Sequence, residues 1–115
     1  MIRSQTFQYD LFIKQGSTFQ AEISLEDNDK QPFNLTNYHP RSIVIKHNQS
    51  KVPSIEFDCI ISNYLSGKIF IALTNEQTLT LSPGNYIYDV ILEDNNGQKY
   101  TIIEGNVFVS SKITE

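Results

Sequence analysis

Apolar residues fall at every second position through most of the chain. Phe7, Tyr9, Leu11 and Ile13 alternate with Gln8, Asp10 and Phe12. Phe19, Ala21, Ile23 and Leu25 alternate with Gln20, Glu22 and Ser24. Ile55, Phe57, Cys59 and Ile61 form a third series, and Ile69, Ile71 and Leu73 a fourth. A repeat of two turns successive side chains to opposite faces, the signature of strands buried on one side. The breaks between these runs carry turn chemistry, in "KQGS" (14–17), "LEDNDKQP" (25–32), "HNQSKVPS" (47–54), "SNYLSG" (62–67) and "EDNNGQ" (93–98). In the last of these, Asn96-Gly97 predicts a type I′ hairpin turn with positive φ at both residues.

About seven short strands result, the number expected of a two-sheet antiparallel β-sandwich of immunoglobulin-like form. Phe19, Ile23, Phe57, Ile71, Tyr86, Tyr88 and Val90 are its expected core. Helix is confined to one turn in "LTNEQTLTL" (73–81), crossing from one sheet to the other. There Thr74 is the expected N-cap and Gln77 stands three residues on, in capping-box spacing. Thr78, Thr80 and Pro83 stop it from growing.

"LSPGNYIYDV" (81–90) places a Pro-Gly turn directly before a strand with two tyrosines. Immunoglobulin-like sandwiches set a tyrosine at the start of the sixth strand, its hydroxyl bonded to backbone a few residues upstream. Pro83 and Gly84 then make the bend, Tyr86 is the corner tyrosine, and Tyr88 points into the core from the same face. Asp89 faces the other way, either as a solvated or cross-strand-paired acid or as a subunit contact.

Some strands are apolar on both faces, although a sandwich strand needs only one. Phe12 lies beside Leu11 and Ile13, Val44 between Ile43 and Ile45, and Ile87 and Ile91 share the face of Asp89. An apolar outer stripe is a liability on a free monomer. Phe12, Val44, Ile87, Asp89 and Ile91 are therefore the candidate interface with a neighbouring subunit.

Length and composition narrow the rest. At 115 residues the chain is one domain, 1–115, long enough for a core without disulfides or metals. Its net charge is −4 and its nine basic residues are scattered, which argues against nucleic acid and an anionic membrane surface as partners. The first ten residues lack the apolar stretch of a signal peptide, and no run approaches the length of a membrane span. Cys59, the only cysteine, has no partner for an intrachain disulfide and sits on an apolar face.

Reactive constellations are few. His39 precedes a proline in a loop and His47 ends a strand, and neither is placed by the pattern against Cys59. The acidic turns at 25–29 and 92–97 could offer oxygen ligands to calcium, but Asp and Asn are also the ordinary turn residues and EF-hand spacing is missing. Zinc-type clusters and phosphate-binding glycine patterns are lacking. Tyr38 and Tyr64 are loop aromatics that could stack on a sugar. The composition points to a non-enzymatic protein with no cofactor and no small-molecule substrate.

Three stretches in order carry a family resemblance: "FIKQGSTFQAEISL" (12–25), "KQPFNLTNYHPRSIVIKH" (30–47) and "SGKIFIALTNEQTLTLSPGNYIYDVILEDNNGQKYTIIEGNVFVSSKIT" (66–114). Together they resemble the small immunoglobulin-like domains of tailed-bacteriophage virion proteins, including modules at the base of upper-baseplate proteins. The resemblance covers nearly the whole chain. One departure is Asn37, where many relatives carry glycine; asparagine tolerates the left-handed backbone such a turn needs. The resemblance implies a structural subunit of a tail, baseplate, neck or head decoration. It would be assembled in the host cytoplasm, with other virion proteins in multiple copies as partners. The alternative is a carbohydrate- or receptor-binding module of a fibre or adhesin, which an aromatic-lined groove would favour.

Overall fold

The computed structural model describes residues 7–46 and 55–113, so His47 and the 47–54 loop lie outside the described residues. Among the described residues, eight strands and one short helix follow one another: β1 (Phe7–Gln8), β2 (Leu11–Lys14), β3 (Phe19–Ser24), β4 (His39–Lys46), β5 (Ile55–Asn63), β6 (Lys68–Leu73), α1 (Asn75–Leu79), β7 (Gly84–Glu93) and β8 (Lys99–Ser110). The chain is an immunoglobulin-like β-sandwich. In the larger sheet β1 and β2 lie beside β8, followed by β7, β4 and the start of β5. The smaller sheet contains the rest of β5, then β6 and β3. β5 belongs to both, since residues 55–57 pair with β4 and residues 58–63 with β6.

The core lies between these sheets. Ile23, Phe57, Ile71, Tyr86, Tyr88 and Val90 are buried as their alternation predicts. Phe19 is at the margin, only partly buried, with its ring 5.9 Å from that of Phe57. Phe57 in turn meets Tyr88 edge-on at 6.1 Å within the larger sheet, so the contact of Phe19 with Phe57 is the aromatic link between the two sheets.

The first apolar run departs from the expected antiparallel order. Both of its halves pair with β8 in parallel, Gln8 opposite Glu104 and Leu11 opposite Val107. No hairpin ties the first strand to the last, and the intervening chain supplies the long connection that parallel neighbours need. Between the halves, Tyr9 N–H donates to the Glu104 carbonyl at 3.0 Å, and the Asp10 carboxylate accepts the Asn106 N–H at 3.0 Å. The residue facing this crossing is Gly105, where a Cβ would lie 2.1 Å from the Tyr9 carbonyl oxygen.

The helix is the single turn that its cap specifies. Thr74 Oγ1 accepts the Gln77 N–H at 3.1 Å, and Gln77 Oε1 accepts the Thr74 N–H at 2.8 Å. Thr78, fully buried, has a second function. Its hydroxyl accepts the Gly16 N–H at 3.0 Å and donates to the Ser17 carbonyl at 2.8 Å, tying the β2–β3 turn to the helix.

The 93–98 hairpin corrects the type I′ expectation. Gly97 has φ of +81°, whereas Asn96 is not among the residues with positive φ. The Asp94 carboxylate accepts the N–H groups of Asn96 and Gln98, and backbone bonds between Asp94 and Gln98 and between Gly97 and Asp94 close a three-residue loop. The 26–32 turn is bonded identically: the Asp27 carboxylate accepts from Asp29 and Gln31, and Lys30 N–H donates to the Asp27 carbonyl. In both turns the aspartate does the work of an Asx turn.

Lys30, at φ +61°, occupies the left-handed position that Gly97 holds in the other copy. A side chain there costs roughly 1–2 kcal/mol relative to glycine, partly offset by the greater chain entropy glycine loses on folding. Lys30→Gly should therefore raise stability by roughly 0.5–1 kcal/mol and Gly97→Lys lower it by a similar amount. Urea midpoints that move in the opposite senses would show that the two turns are not equivalent.

Candidate functional site

β7 orients the site, and the corner orients β7. Leu81 is buried below the turn, Pro83 lies in it, and Gly84 opens the strand at φ +146°. Tyr86 is 3% exposed and donates its hydroxyl to the Ser82 carbonyl at 2.8 Å, the upstream bond of a tyrosine corner. Two residues on, Tyr88 donates to the Tyr9 carbonyl at 2.7 Å. Burial raises the Tyr88 pKa well above the usual phenol value, with nearby Tyr9 and Asp10 adding to it, so the hydroxyl remains a donor. With Tyr86, Tyr88, Val90 and Leu92 inside, strand parity turns Ile87, Asp89 and Ile91 outward.

β4 lies antiparallel beside β7, with Ile43 opposite Asp89, Ile45 opposite Ile87 and Arg41 opposite Ile91. Val44 is not at this surface. It is fully buried opposite Tyr88, because it shares the inward parity of Ser42. Ser42 is buried without an unmet polar group, since its hydroxyl donates to the Asp89 carbonyl. The outward residues of β4 are Ile43 and Ile45, which the sequence pattern placed beside the candidate instead of naming them. The alternation of "SIVIK" with Ser42 as an inward residue was the available signal.

Ile43, Ile45 and Ile87 line a shallow depression of about 280 Å³ on the outer face of the larger sheet. Asp89 and Glu104 stand directly opposite each other across β7 and β8 at one side of it. Burial raises the Asp89 pKa, and the Glu104 charge raises it further. Gln8 Nε2 donates to Glu104 Oε1 at 2.9 Å, which orients that carboxylate but brings no cation. Arg41, the nearest outward base on β4, is held by Glu56 at 2.9 Å.

Phe12 lies further along the same sheet, 73% exposed and stacked on Phe108 at 5.3 Å. Phe12 and Phe108 are cross-strand partners, as are Phe108 and Asn85 on β7. The structure thus brings Ile87, Asp89 and Ile91 together, places Phe12 toward the sheet edge, and removes Val44. On the opposite side of the sandwich, Ile60 and Phe70 form an exposed cross-strand pair beside the Lys68–Glu22 ion pair at 3.8 Å.

Among the described residues, Cys59 and His39 make no contact with each other. Cys59 is half-buried, its thiol pushed up to about 12 by burial and by Asp58 and Glu56, so it remains protonated and weakly nucleophilic near neutral pH. His39 is exposed at the start of β4, opposite Glu93. No group of three His, Cys, Asp or Glu that could hold a metal occurs among the described residues. Tyr38 packs on Phe33 with ring centroids 5.6 Å apart, and Tyr64 is exposed in the β5–β6 turn. No helix among the described residues is long and apolar enough to cross a membrane.

No family model matches the sequence, and no curated protein is recognisably similar to it. Solved structures share the fold. An internalin-like protein of Listeria monocytogenes superposes with a TM-score of 0.51 at 22% identity, over 91% of this chain and 28% of that one. The Lin-41 filamin domain superposes with a TM-score of 0.50 at 9% identity, over 86% of this chain and 82% of the other. The chain therefore corresponds to just over a quarter of the internalin-like protein, and to most of the filamin domain.

Proposed function

We propose that this domain is a non-enzymatic structural subunit of a tailed-bacteriophage virion, docking on neighbouring proteins through the outer face of its larger sheet. The observation that carries this reading is the aliphatic group Ile43, Ile45, Ile87 and Ile91, set on a face that the fold does not need to be apolar. Covering it with a neighbour removes the liability, and many copies in one particle make modest single contacts sufficient. The order of the three sequence stretches supplies the virion context, while the structural neighbours speak to the fold alone. A sugar-binding role is less well supported, because the one aromatic lining the depression, Tyr88, is buried with its hydroxyl held by the Tyr9 carbonyl, and Tyr38 packs on its own domain.

Mass spectrometry of tailed particles purified from a culture carrying this gene tests the reading. The chain should appear in the particle fraction at a fixed ratio to other structural proteins. Recovery only from the soluble lysate would overturn it. Ile87→Lys combined with Ile91→Lys should leave a domain with a near-native unfolding midpoint that is lost from the particle. Wild-type occupancy of that variant would remove the outer face of β7 from the interface.

A further inference from the structure

We infer that the outer face of the larger sheet takes a different protein chain, one that brings a lysine or arginine to Asp89 and Glu104 and aliphatic side chains onto Ile43, Ile45 and Ile87, and that it does not take a second copy of this chain. This rests on the reading of that face as the docking surface, and it names the chemistry of what docks there.

The face combines two features that a single occupant satisfies. Its aliphatic floor favours apolar contact. Its acidic side sets Asp89 against Glu104 on adjacent strands, and like charges directly opposite in a sheet repel. Among the described residues neither carboxylate forms an ion pair with a lysine or arginine. Arg41 is engaged by Glu56, and the Glu104 contact is the Gln8 amide. A cation arriving between the two acids relieves their repulsion, and the half-buried position of Asp89 strengthens that attraction relative to a fully solvated site.

The same charges argue against self-association. A two-fold contact is self-complementary, so the patch of one copy meets the same patch of its partner. The lining of the patch offers no lysine or arginine, so Asp89 and Glu104 of both copies would lose water with no counter-charge to meet, which suppresses pairing.

The test uses the full chain, labelled with 15N, and two pentapeptide probes. Acetyl-Leu-Thr-Arg-Thr-Leu-amide places two leucines and one arginine on one face of an extended segment. The control peptide replaces its arginine with glutamate. The arginine peptide should shift the amide resonances of Ile43, Ile87, Asp89 and Glu104 saturably, and the glutamate peptide should leave them unmoved. Asp89→Asn with Glu104→Gln should weaken the arginine peptide about tenfold while the variant stays folded.

Equal binding of both peptides would overturn the charge requirement. The absence of localised shifts with the arginine peptide would overturn the site. Sedimentation equilibrium showing a dimer broken by Ile87→Lys would make a second copy the occupant and overturn the heterotypic choice. These readouts need no particle. A chain missing from virions that still binds the arginine peptide would sink the virion reading and leave this one standing.

Discussion

Tyr86→Ala should lower the unfolding free energy by about 3–5 kcal/mol, the range seen when a large buried ring is cut back and a cavity remains. The residue is 3% exposed, and its ring packs in the core below the turn it anchors. Domains of this size are stable by only about 5–15 kcal/mol, so the variant would lose a large part of its margin. Tyr86→Phe separates the two contributions of the side chain. It keeps the ring and removes the 2.8 Å bond to the Ser82 carbonyl. Ser82 is exposed, so water can take over its carbonyl, and the loss should stay near ~1 kcal/mol. Urea unfolding of the three proteins measures both values. An alanine variant as stable as wild type would mean that the corner does not anchor β7.

The second large effect is expected at Gly105→Ala, about 3 kcal/mol or more, at the upper end of ordinary single substitutions. The new Cβ would lie 2.1 Å from the Tyr9 carbonyl oxygen and 2.7 Å from its carbonyl carbon. Both are backbone atoms and cannot rotate aside. The first strand would have to withdraw from β8, breaking the Tyr9–Glu104 and Asp10–Asn106 bonds and the Tyr88 hydroxyl contact with Tyr9. Gly84→Ala is the matched control. Its Cβ meets nothing within 4 Å, so the cost is confined to the strain of a positive φ, roughly 1–2 kcal/mol. Equal losses at the two sites would mean that the close approach of Tyr9 to Gly105 contributes nothing.

Much of this fold is legible in the sequence because it is local. The capping box at Thr74 and Gln77 needs only three residues of spacing, and it forms as the residues specify. Asn37 adopts the left-handed conformation that its place in the turn demands, at φ +72°. The corner at Tyr86 likewise closes over four residues.

What escaped the sequence depends on partners far along the chain. The parallel docking of Leu11–Lys14 on β8 joins residues nearly a hundred positions apart, and alternation fixes which side is buried, not the direction of the neighbour. Val44 sits between two isoleucines, so hydropathy alone left its side open; only Ser42, satisfied by the Asp89 carbonyl, fixes the parity of β4. The hairpin at Asn96-Gly97 carried the motif of one turn and formed another, because the Asp94 side chain captured the N–H groups that select the loop. The candidate interface was legible as outward isoleucines on β7 but incomplete, since its other half comes from β4 through strand pairing.

The claim that the outer face of the larger sheet is the docking surface is tested most directly by hydroxyl-radical footprinting of the chain, free and in purified particles. Ile43, Ile45 and Ile87 should be oxidised in the free chain and protected in the particle, while Ile60 and Phe70 on the opposite sheet react alike in both states. Protection of Ile60 and Phe70 with Ile43, Ile45 and Ile87 unchanged would contradict the claim and place the interface on the other side of the sandwich.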